Sequence, residues 1–360
     1  MSHYLITGHT GFKGSWLALL LSQLGHEVSG VSLDPEPRSL FSHPGLHSLH
    51  MHDIRVDIRD AAALASAMRL VKPDVVIHLA AQPLVRRSFV DPRETVETNT
   101  IGTFNVLSSI QEEAGVKAVL IATTDKVYRP TSQRTAYRES DPLGGEDIYS
   151  ASKAMADLLT SAWVRSFDAP PTAIARAGNV IGGGDHGVDR LVPDLVSAFV
   201  GQRSPKLRYP NAVRPWQHVL DCLMGYLAIV SHLQTSCPSG AAETWNVGPD
   251  QSTYTTVADL TSCAAAAWGA EASWTSDAAE QHPENQWLTL NTDKIRTDLE
   301  WRDTLDLATA VNWTMAWYRK VLAGADPVEV TLEQIQAFLS ASGQKSLLGA
   351  TCEPPHPEED

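Results

Sequence analysis

The stretch YLITGHTGFKGSWLALLLSQLG, residues 4–25, decides the fold. Residues 4–7 predict a short buried strand, and a helix is predicted from Ser15 to Leu24, where Gly25 stops it. Between them lies a GxxGxxG loop, whose backbone can approach a phosphate while the first N–H groups of the helix face its charge. Taken alone, this spacing is equally compatible with an ordinary glycine turn, so the flanking segments must decide.

The second predicted strand, residues 27–33, ends in Asp34. An acid at that place can accept both hydroxyl groups of an adenosine ribose and repel a 2′-phosphate, which favours NAD over NADP. A plain turn residue before Pro35 is the alternative role, and Arg38 is a nearby cation that would suit a phosphate. The strand, loop, helix and acid together predict a dinucleotide fold.

Composition limits the classes of partner. The 360 residues, 43% of them hydrophobic, suffice for one large domain or two fused ones. A net charge of -14 and a pI near 5.3 argue against nucleic acid or an anionic membrane as partner. The chain shows no apolar leader or membrane-length apolar window, and its four cysteines lack metal-ligand spacing. We therefore expect a soluble cytoplasmic protein with reduced thiols and no metal.

The segment YSASK, residues 149–153, enters a predicted helix. Tyr149 and Lys153 are four residues apart and lie on the same helix face. A phenol is a poor base at its free pKa of about 10, and a neighbouring ammonium group lowers that value. The pair is thus predicted to take a proton from an alcohol while a hydride leaves the same carbon.

The segment TTDK, residues 123–126, follows an apolar strand without a turn residue. Thr124, Asp125 and Lys126 place a hydroxyl, an acid and an amine together at the tip of a strand. Adjacent charges often form no more than a solvated ion pair. The alternative is a pair of groups for acid and base catalysis beside Tyr149.

Together these motifs resemble the extended short-chain dehydrogenase/reductase family, whose members modify nucleotide-activated sugars. Within that family the pattern is most similar to the CDP-glucose 4,6-dehydratases. The matching segments are TGHTGFKG (7–14), Asp34, HLAAQ (78–82), TTDK (123–126), DPLGG (141–145), YSASK (149–153), RAGNVIGGGD (176–185), DRLVPD (189–194) and NAVRPWQHV (211–219).

The resemblance implies an α/β fold, a Rossmann-type doubly wound parallel sheet with a smaller C-terminal α/β region that binds substrate. Residues 1–180 would bind NAD and carry the catalytic groups. Residues 181–345 would mainly bind the nucleotide sugar, with some segments returning to the sheet. The resemblance also implies a homodimer formed through the helices that start near Pro92 and Ser150. Residues 346–360, rich in proline and acids, are expected to form a disordered tail.

The implied reaction is the NAD-dependent conversion of CDP-glucose to a 4-keto-6-deoxy sugar. Tyr149, helped by Thr124, would take the proton of the C4 hydroxyl. Asp125 would act as acid, with a pKa raised by an apolar setting, and Lys126 as base. These two roles can also be exchanged or act through a shared water. Other readings are an epimerase, a dehydratase of a different nucleotide sugar, and a non-catalytic NAD sensor.

The family pattern also supplies candidate contacts. The candidate cofactor contacts are Gly8, Thr10, Gly11, Phe12, Lys13, Gly14, Asp34, Asp57, Ile58, Leu79, Ala80, Ala81, Tyr149 and Lys153. The candidate substrate contacts are Gln82, Asn179, Arg190, Arg208, Arg214 and His218. Arg214 is the strongest candidate for a diphosphate, whereas His218 either touches the ligand or packs a strand-to-helix turn. Asn99, in a helix predicted from Pro92 to Gly115, is either a buried structural amide or a support for the site.

Overall fold

A seven-stranded parallel sheet forms the centre of the protein, as the fold class predicts. The computed structural model describes residues 1–48, 51–113, 115–131, 133–236, 240–250, 254–271, 273–276 and 285–343. The strands of the central sheet are β1 (His3–Thr7), β2 (Glu27–Ser32), β3 (His52–Arg55), β4 (Val75–His78), β5 (Ala118–Ala122), β6 (Thr172–Ala177) and β10 (Glu243–Val247). Short strands outside it are β7 (Val180–Ile181), β8 (Lys206–Leu207), β9 (Gln217–His218) and β11 (Thr275–Ser276).

The strand order is β10-β6-β5-β4-β1-β2-β3, and every neighbouring pair is parallel. The chain winds outward from β1 through β2 and β3, then returns to place β4 on the other side of β1. Ligands of such sheets bind beyond the carboxyl ends of the strands, where the winding direction reverses. The crevice between the ends of β1 and β4 is therefore the expected site.

Helices cover both faces of the sheet. Helices α2, α5 and α6 pack together on one face, while α1, α8 and α12 lie on the other. The helices are α1 (Phe12–Gln23), α2 (Ala61–Val71), α3 (Val85–Val90), α4 (Pro92–Val96), α5 (Gly102–Gln111), α6 (Ile148–Ser166), α7 (Leu191–Val200), α8 (Val219–Ser236), α9 (Val257–Trp268), α10 (Asp293–Asp298), α11 (Leu307–Leu322) and α12 (Pro327–Ser342). Because both faces are covered, β5 and β6 are buried at every position and read as apolar runs.

The prediction of one continuous helix from Pro92 to Gly115 is wrong. Helix α4 widens into a π-helical segment, Glu97–Ile101, before α5, and α5 ends at Gln111. The wide turn carries Asn99, which is 1% exposed. Its amide bonds groups outside the helix, donating to the Gln82 carbonyl at 3.1 Å and the Ser152 hydroxyl at 2.9 Å. π-Helical turns often mark functional positions, and periodicity alone does not reveal them.

The C-terminal third is not a separate layer. Strand β10 adds to the edge of the central sheet beside β6, so a late segment does return to the dinucleotide fold. Strands β7 and β9 pair with each other, as do β8 and β11, outside the central sheet. The expected tail, 346–360, lies outside the described residues. Within the described ranges, no helix has the length and apolar character needed to cross a membrane.

Candidate active site

The glycine loop after β1 is built for close approach. Gly8 has a φ of 78°, a backbone conformation that side chains disfavour, and a Cβ at Gly8 would lie 2.7 Å from the Ala80 nitrogen. A Cβ on Gly14 would collide with the carbonyl of Gly8. The loop is thus tight enough to expose its own N–H groups and those of the first turn of α1, which fits a pyrophosphate.

The predicted ribose acid lies at the correct edge of the sheet. Asp34 follows the end of β2, and its side chain is 91% exposed, with Oδ1 3.8 Å from Nε of Arg55. Arg55 also donates to the Leu33 carbonyl at 2.9 Å. The Thr10 hydroxyl contacts the same carbonyl at 3.1 Å. These contacts bring the glycine loop and the acid together, and the position of Asp34 suits the ribose role without testing it.

The other candidate cofactor residues follow either strand β4 or strand β3. Leu79, Ala80 and Ala81 line the end of β4, directly beside Gly8. Asp57 accepts four hydrogen bonds from Arg59, and these lower the pKa of its carboxyl. The side chain of Ile58 is buried against α5, where a Cβ on Gly102 would strike it, and its backbone carbonyl accepts from Asn105 at 2.9 Å.

Asn99 unites the two roles predicted for it. Its Oδ1 accepts from the Gln82 N–H at 2.8 Å, and its amide nitrogen reaches Ser152 on α6. One buried side chain thereby fixes the end of β4 to the helix that carries Tyr149 and Lys153. The Asn99 amide therefore has a structural role, and it holds the candidate site in place.

The tip of β5 turns inward. Thr124 precedes a short 3₁₀ turn, Asp125–Val127, and Asp125 is only 2% exposed. The Thr124 hydroxyl donates to Oδ1 of Asp125 at 3.0 Å. Among the described residues, Oδ2 of Asp125 has no hydrogen-bond partner. The acid is therefore buried, not solvated, and it keeps one oxygen available.

Burial raises the pKa of Asp125, in the direction predicted from the sequence. Lys126 and Arg214 lower that pKa by their charge, as does the hydrogen bond from Thr124. The side chain of Lys126 is half-buried. Burial and the two nearby cations thus act on the pKa of Asp125 in opposite directions, which suits a carboxyl group that must both take up and release a proton.

The expected lowering of the phenol pKa is wrong. Burial raises the pKa of Tyr149 to about 12. The Lys153 amine donates to the Ala122 carbonyl at 2.7 Å, and burial lowers its own pKa to about 7. The side chain that lowers the pKa of Tyr149 most is that of Thr124.

A buried ion pair behind α6 is absent from the sequence-based predictions. Arg176 on β6 holds Asp157 with two hydrogen bonds of 2.8 Å, and both residues are buried. The Thr123 hydroxyl also donates to Asp157, at 3.3 Å. Asp157 lies one helical turn after Lys153, so an acid at that spacing was the available signal. The pair fixes α6 to the sheet.

Two of the candidate arginines converge on the site. Arg214 is 5% exposed and close enough to Asp125 to lower its pKa. Arg190 lowers the pKa of Tyr149 by its charge and donates to Asp185 at 2.9 Å. Arg214 also lines a cavity of about 130 Å³ whose wall includes Tyr254, among other residues. The site therefore continues from the acid past an arginine into an enclosed space.

The remaining substrate candidates have partners of their own. Arg208 pairs with Asp189 at 3.2 Å, and both side chains are partly exposed. Gln82 is buried, and its amide bonds Thr95 and Leu84. The backbone carbonyl of Asn179 accepts from Gln217 at 2.9 Å, which pairs β7 with β9.

His218 adopts the packing role of the two alternatives. It is fully buried, and its ring meets Trp16 and Trp313 edge-on at 5.8 and 6.0 Å. Burial lowers its pKa to about 3, so the ring is neutral. Within the described part of the chain, no cluster of residues could hold a metal ion.

Comparison with known proteins agrees with this arrangement. The model of the "NAD dependent epimerase/dehydratase family" matches residues 4–248. The CDP-glucose 4,6-dehydratase of Salmonella typhimurium is 39% identical over 349 residues, which cover 94% of this chain and 96% of that protein. A probable dTDP-glucose 4,6-dehydratase of Sinorhizobium fredii is 27% identical, over 87% and 92% of the two chains.

A solved structure shows the same likeness. DesIV, a dTDP-glucose 4,6-dehydratase of Streptomyces venezuelae solved with NAD bound, superposes with a TM-score of 0.77 at 27% identity. The superposition covers 91% of this chain and 99% of that one.

Proposed function

The chain belongs to the NAD dependent epimerase/dehydratase family, and on that premise we propose that it is a nucleotide-sugar 4,6-dehydratase. Its proposed substrate is CDP-glucose, and its product is CDP-4-keto-6-deoxyglucose. The observation that carries the proposal is Asp125, a buried acid that accepts from Thr124 on one oxygen, has no partner among the described residues on the other, and lies close enough to Tyr149 to raise its pKa. An enzyme that only epimerises C4 has no step that requires such an acid.

The cofactor of the proposed reaction is NAD. The glycine loop from Gly8 to Gly14 and the first turn of α1 would hold its pyrophosphate, and Asp34 its adenosine ribose. When bound, NAD accepts a hydride from C4 of the sugar and returns it to C6. Residues 1–180 would thus hold the cofactor and the catalytic groups, and residues 181–345 mainly the nucleotide sugar.

The protein's own groups move the protons. Tyr149 would take the proton of the C4 hydroxyl as its phenolate, a form that Thr124 favours because it lowers the pKa of the phenol. The resulting ketone acidifies the proton at C5, and Lys126 would accept that proton in its uncharged amine form. Asp125 would give a proton from Oδ2 to the C6 hydroxyl, which leaves as water. The Lys153 amine, fixed on the Ala122 carbonyl, orients the helix turn that carries Tyr149.

The substrate's diphosphate is assigned to the two convergent arginines. Arg214 lies between Asp125 and the cavity near Tyr254, and Arg190 lies near Tyr149. A guanidinium fork suits phosphate oxygens, and its burial at Arg214 strengthens the attraction. The hexose would then lie on the Asp125 side of the arginine and the nucleoside on the cavity side.

A homodimer is part of the proposal. Helices α5 and α6 leave apolar side chains on the surface, which monomeric proteins seldom do over a continuous area. These exposed residues are Ile101, Phe104, Met155, Leu158 and Phe167. A second copy that covers them would bury them by two-fold symmetry. Sedimentation equilibrium of the wild-type protein and of Leu158→Glu tests this: if that face is the interface, the variant dimer should dissociate at a higher protein concentration than the wild-type dimer.

One incubation tests the main proposal. The purified protein is mixed in turn with CDP-glucose, dTDP-glucose, UDP-glucose and GDP-mannose, and the product is followed by mass and by the alkaline absorbance of a 4-keto-6-deoxy sugar. Loss of one water from CDP-glucose is expected. A change of configuration without loss of mass would identify an epimerase instead, and water loss from a different nucleotide sugar would correct the substrate.

A further inference from the structure

An extended segment, residues 286–291, runs beside the loop that carries Arg214. Val213 directly precedes this arginine, and its N–H donates to the Gln286 carbonyl at 3.0 Å. The Val213 carbonyl accepts from the Leu288 N–H at 3.2 Å. These two backbone bonds fix the chain at Arg214 to one side of the segment.

The other side of segment 286–291 holds the loop that follows the tip of β5. Tyr137 donates its N–H to the Thr289 carbonyl at 2.9 Å, and its own carbonyl accepts from the Asn291 N–H at 2.7 Å. The ring of Tyr137 is stacked on that of Tyr128, with the ring centroids 4.9 Å apart. Tyr128 directly follows the 3₁₀ turn at the tip of β5. The segment therefore connects the candidate diphosphate arginine with the turn that carries the buried acid.

The side chain of Asn246, on β10, strengthens this connection. It is fully buried, and its amide nitrogen donates to the carbonyls of Tyr137 at 2.9 Å and Asn291 at 3.0 Å. Its oxygen accepts from the Tyr128 hydroxyl at 2.6 Å. An amide group has two N–H donors, and here one bonds each of two segments that are far apart in the sequence. Asn246 thus holds the loop after β5 against segment 286–291.

Under the proposed function, the substrate is held at one end and loses water at the other. Arg214 would bind the diphosphate, and Asp125 would give its proton to the hydroxyl at C6. The charge of Arg214 lowers the pKa of Asp125, which agrees with a short separation between the two groups. That separation must match the sugar between them, because a shift of about 1 Å can slow a reaction by about 100-fold.

We propose that Asn246 is a positioning residue for the loss of water, because it holds the chain at Arg214 and the turn at Asp125 in a fixed relation. This inference rests on the proposed dehydratase function and deepens it. Since Asn246 is fully buried, it acts through the two segments that it joins and not by contact with the sugar.

The oxidation step has other supports. The Lys153 amine donates to the Ala122 carbonyl at 2.7 Å, and the Asn99 amide donates to the Ser152 hydroxyl at 2.9 Å. These bonds fix helix α6, which carries the phenol, and neither of them involves Asn246. Loss of the Asn246 amide should therefore slow water loss more than it slows oxidation of the sugar.

The ratio of these two rates tests the proposal. The NAD-loaded full-length protein is mixed with CDP-glucose, the reduced cofactor is followed by its absorbance, and the 4-keto-6-deoxy product by its mass. Asn246→Asp keeps the size of the side chain and replaces its N–H donors by oxygen, whereas Asn246→Ala removes the whole group. In both variants water loss should slow relative to oxidation by roughly 10- to 100-fold, and reduced cofactor should accumulate. The ratio does not depend on the fraction of the variant that is folded.

Tyr128→Phe is the matched control. It removes the third hydrogen bond of Asn246 and leaves both amide donors with their carbonyl partners. Its ratio of water loss to oxidation should stay near that of the wild-type protein. A wild-type ratio in the two Asn246 variants as well would overturn the proposal.

Hydrogen–deuterium exchange of the wild-type holoenzyme provides a test without a variant. CDP would occupy Arg214 and lacks the sugar. At a saturating concentration it should slow exchange in the peptide that contains Tyr137, whose N–H bonds segment 286–291. Unchanged exchange there would also overturn the proposal.

Failure of this inference can be told from failure of the proposed function. If the wild-type protein removes water from CDP-glucose while the tests of Asn246 fail, only the positioning role is wrong. If the wild-type protein removes water from none of the nucleotide sugars, the proposed function is wrong as well.

Discussion

Two buried carboxylates, Asp157 on helix α6 and Asp125 at the tip of β5, differ in their hydrogen bonds. Asp157, 1% exposed, is held on both oxygens by Arg176 and also accepts from Thr123. Asp125, 2% exposed, accepts from Thr124 on one oxygen, and its other oxygen has no partner in the described ranges. The two side chains are about equally buried, so they differ in the number of their hydrogen-bond partners. A carboxylate with hydrogen bonds on both oxygens fixes a helix, whereas one with a spare oxygen can move a proton.

The unpartnered oxygen of Asp125 also distinguishes the pocket at the tip of β5 from the hydrophobic core. A buried polar atom without a partner lowers stability, and folded proteins retain few of them. Asp125 keeps one where a sugar hydroxyl would bind under the proposed function. The ion pair behind α6 supports the helix that carries Tyr149 and Lys153, and so holds the reactive region in place.

The largest expected effect comes from Asp157, the carboxylate that is paired with Arg176. Asp157→Asn leaves the Arg176 guanidinium buried with its main partner uncharged, which should lower the free energy of unfolding by about 3–5 kcal/mol. Urea denaturation at neutral pH measures this. The double variant Asp157→Leu/Arg176→Met is the control, and it should be less destabilised than the single variant. Equal stability of Asp157→Asn and the wild type would show that the pair does not fix α6.

The next largest effect is expected at Lys126, beside Asp125. Lys126→Met should slow water loss from CDP-glucose by about 100-fold, because the C5 proton loses its acceptor. Oxidation at C4 should continue, so reduced cofactor should accumulate and be visible by its absorbance. Product formation at the wild-type rate would remove Lys126 from the reaction.

A smaller effect is the pH dependence of stability that Asp125 causes. Burial raises the pKa of Asp125 in the folded protein above its unfolded value, which is about 3.9. The folded state therefore loses stability as the pH rises from about 4 through the folded-state pKa, where Asp125 ionises. Asp125→Asn cannot ionise and should be more stable than the wild type by roughly 1–2 kcal/mol at pH 7. The gain should vanish near pH 3. A variant that is less stable than the wild type at pH 7 would contradict this account.

The smallest effect tests the edge of the ion-pair region. The Tyr128 hydroxyl donates to Asn246 at 2.6 Å and accepts from Arg176 at 3.0 Å. Tyr128→Phe should cost about 1 kcal/mol of stability, since Arg176 keeps Asp157. Thermal unfolding measures the loss, and the rate of sugar oxidation should stay near the wild-type value. A loss as large as that of Asp157→Asn would mean that the region acts as one unit.

Local patterns and the family resemblance were sufficient for the fold. The strand, the glycine loop and the helix predicted a dinucleotide fold, the resemblance implied a parallel sheet, and the resemblance was confirmed. Thr124, Asp125 and Tyr149 do lie together, although their roles stay predictions. The structure also agreed with the predicted rise in the pKa of Asp125.

Other expectations failed where the answer depended on distant contacts. The phenol pKa was expected to fall beside Lys153, but burial raises it and the lysine bonds the Ala122 carbonyl instead. The single helix from Pro92 is broken by a π-helical segment, whose Asn99 bonds groups 17 and 53 residues away. Arg176 was predicted only as part of a motif, and its partner Asp157 was not predicted at all.

The sequence by itself determined the order of strands and helices, the phosphate loop and which polar residues follow the strand ends, because these depend on neighbours within a few positions. Only the tertiary structure decided which of those polar groups are buried, which are paired and which keep a free oxygen. Burial and pairing arise from segments far apart in the chain, as when Tyr128 meets Asn246 across 118 residues. Proton affinity follows from that surrounding, and not from the residue type alone.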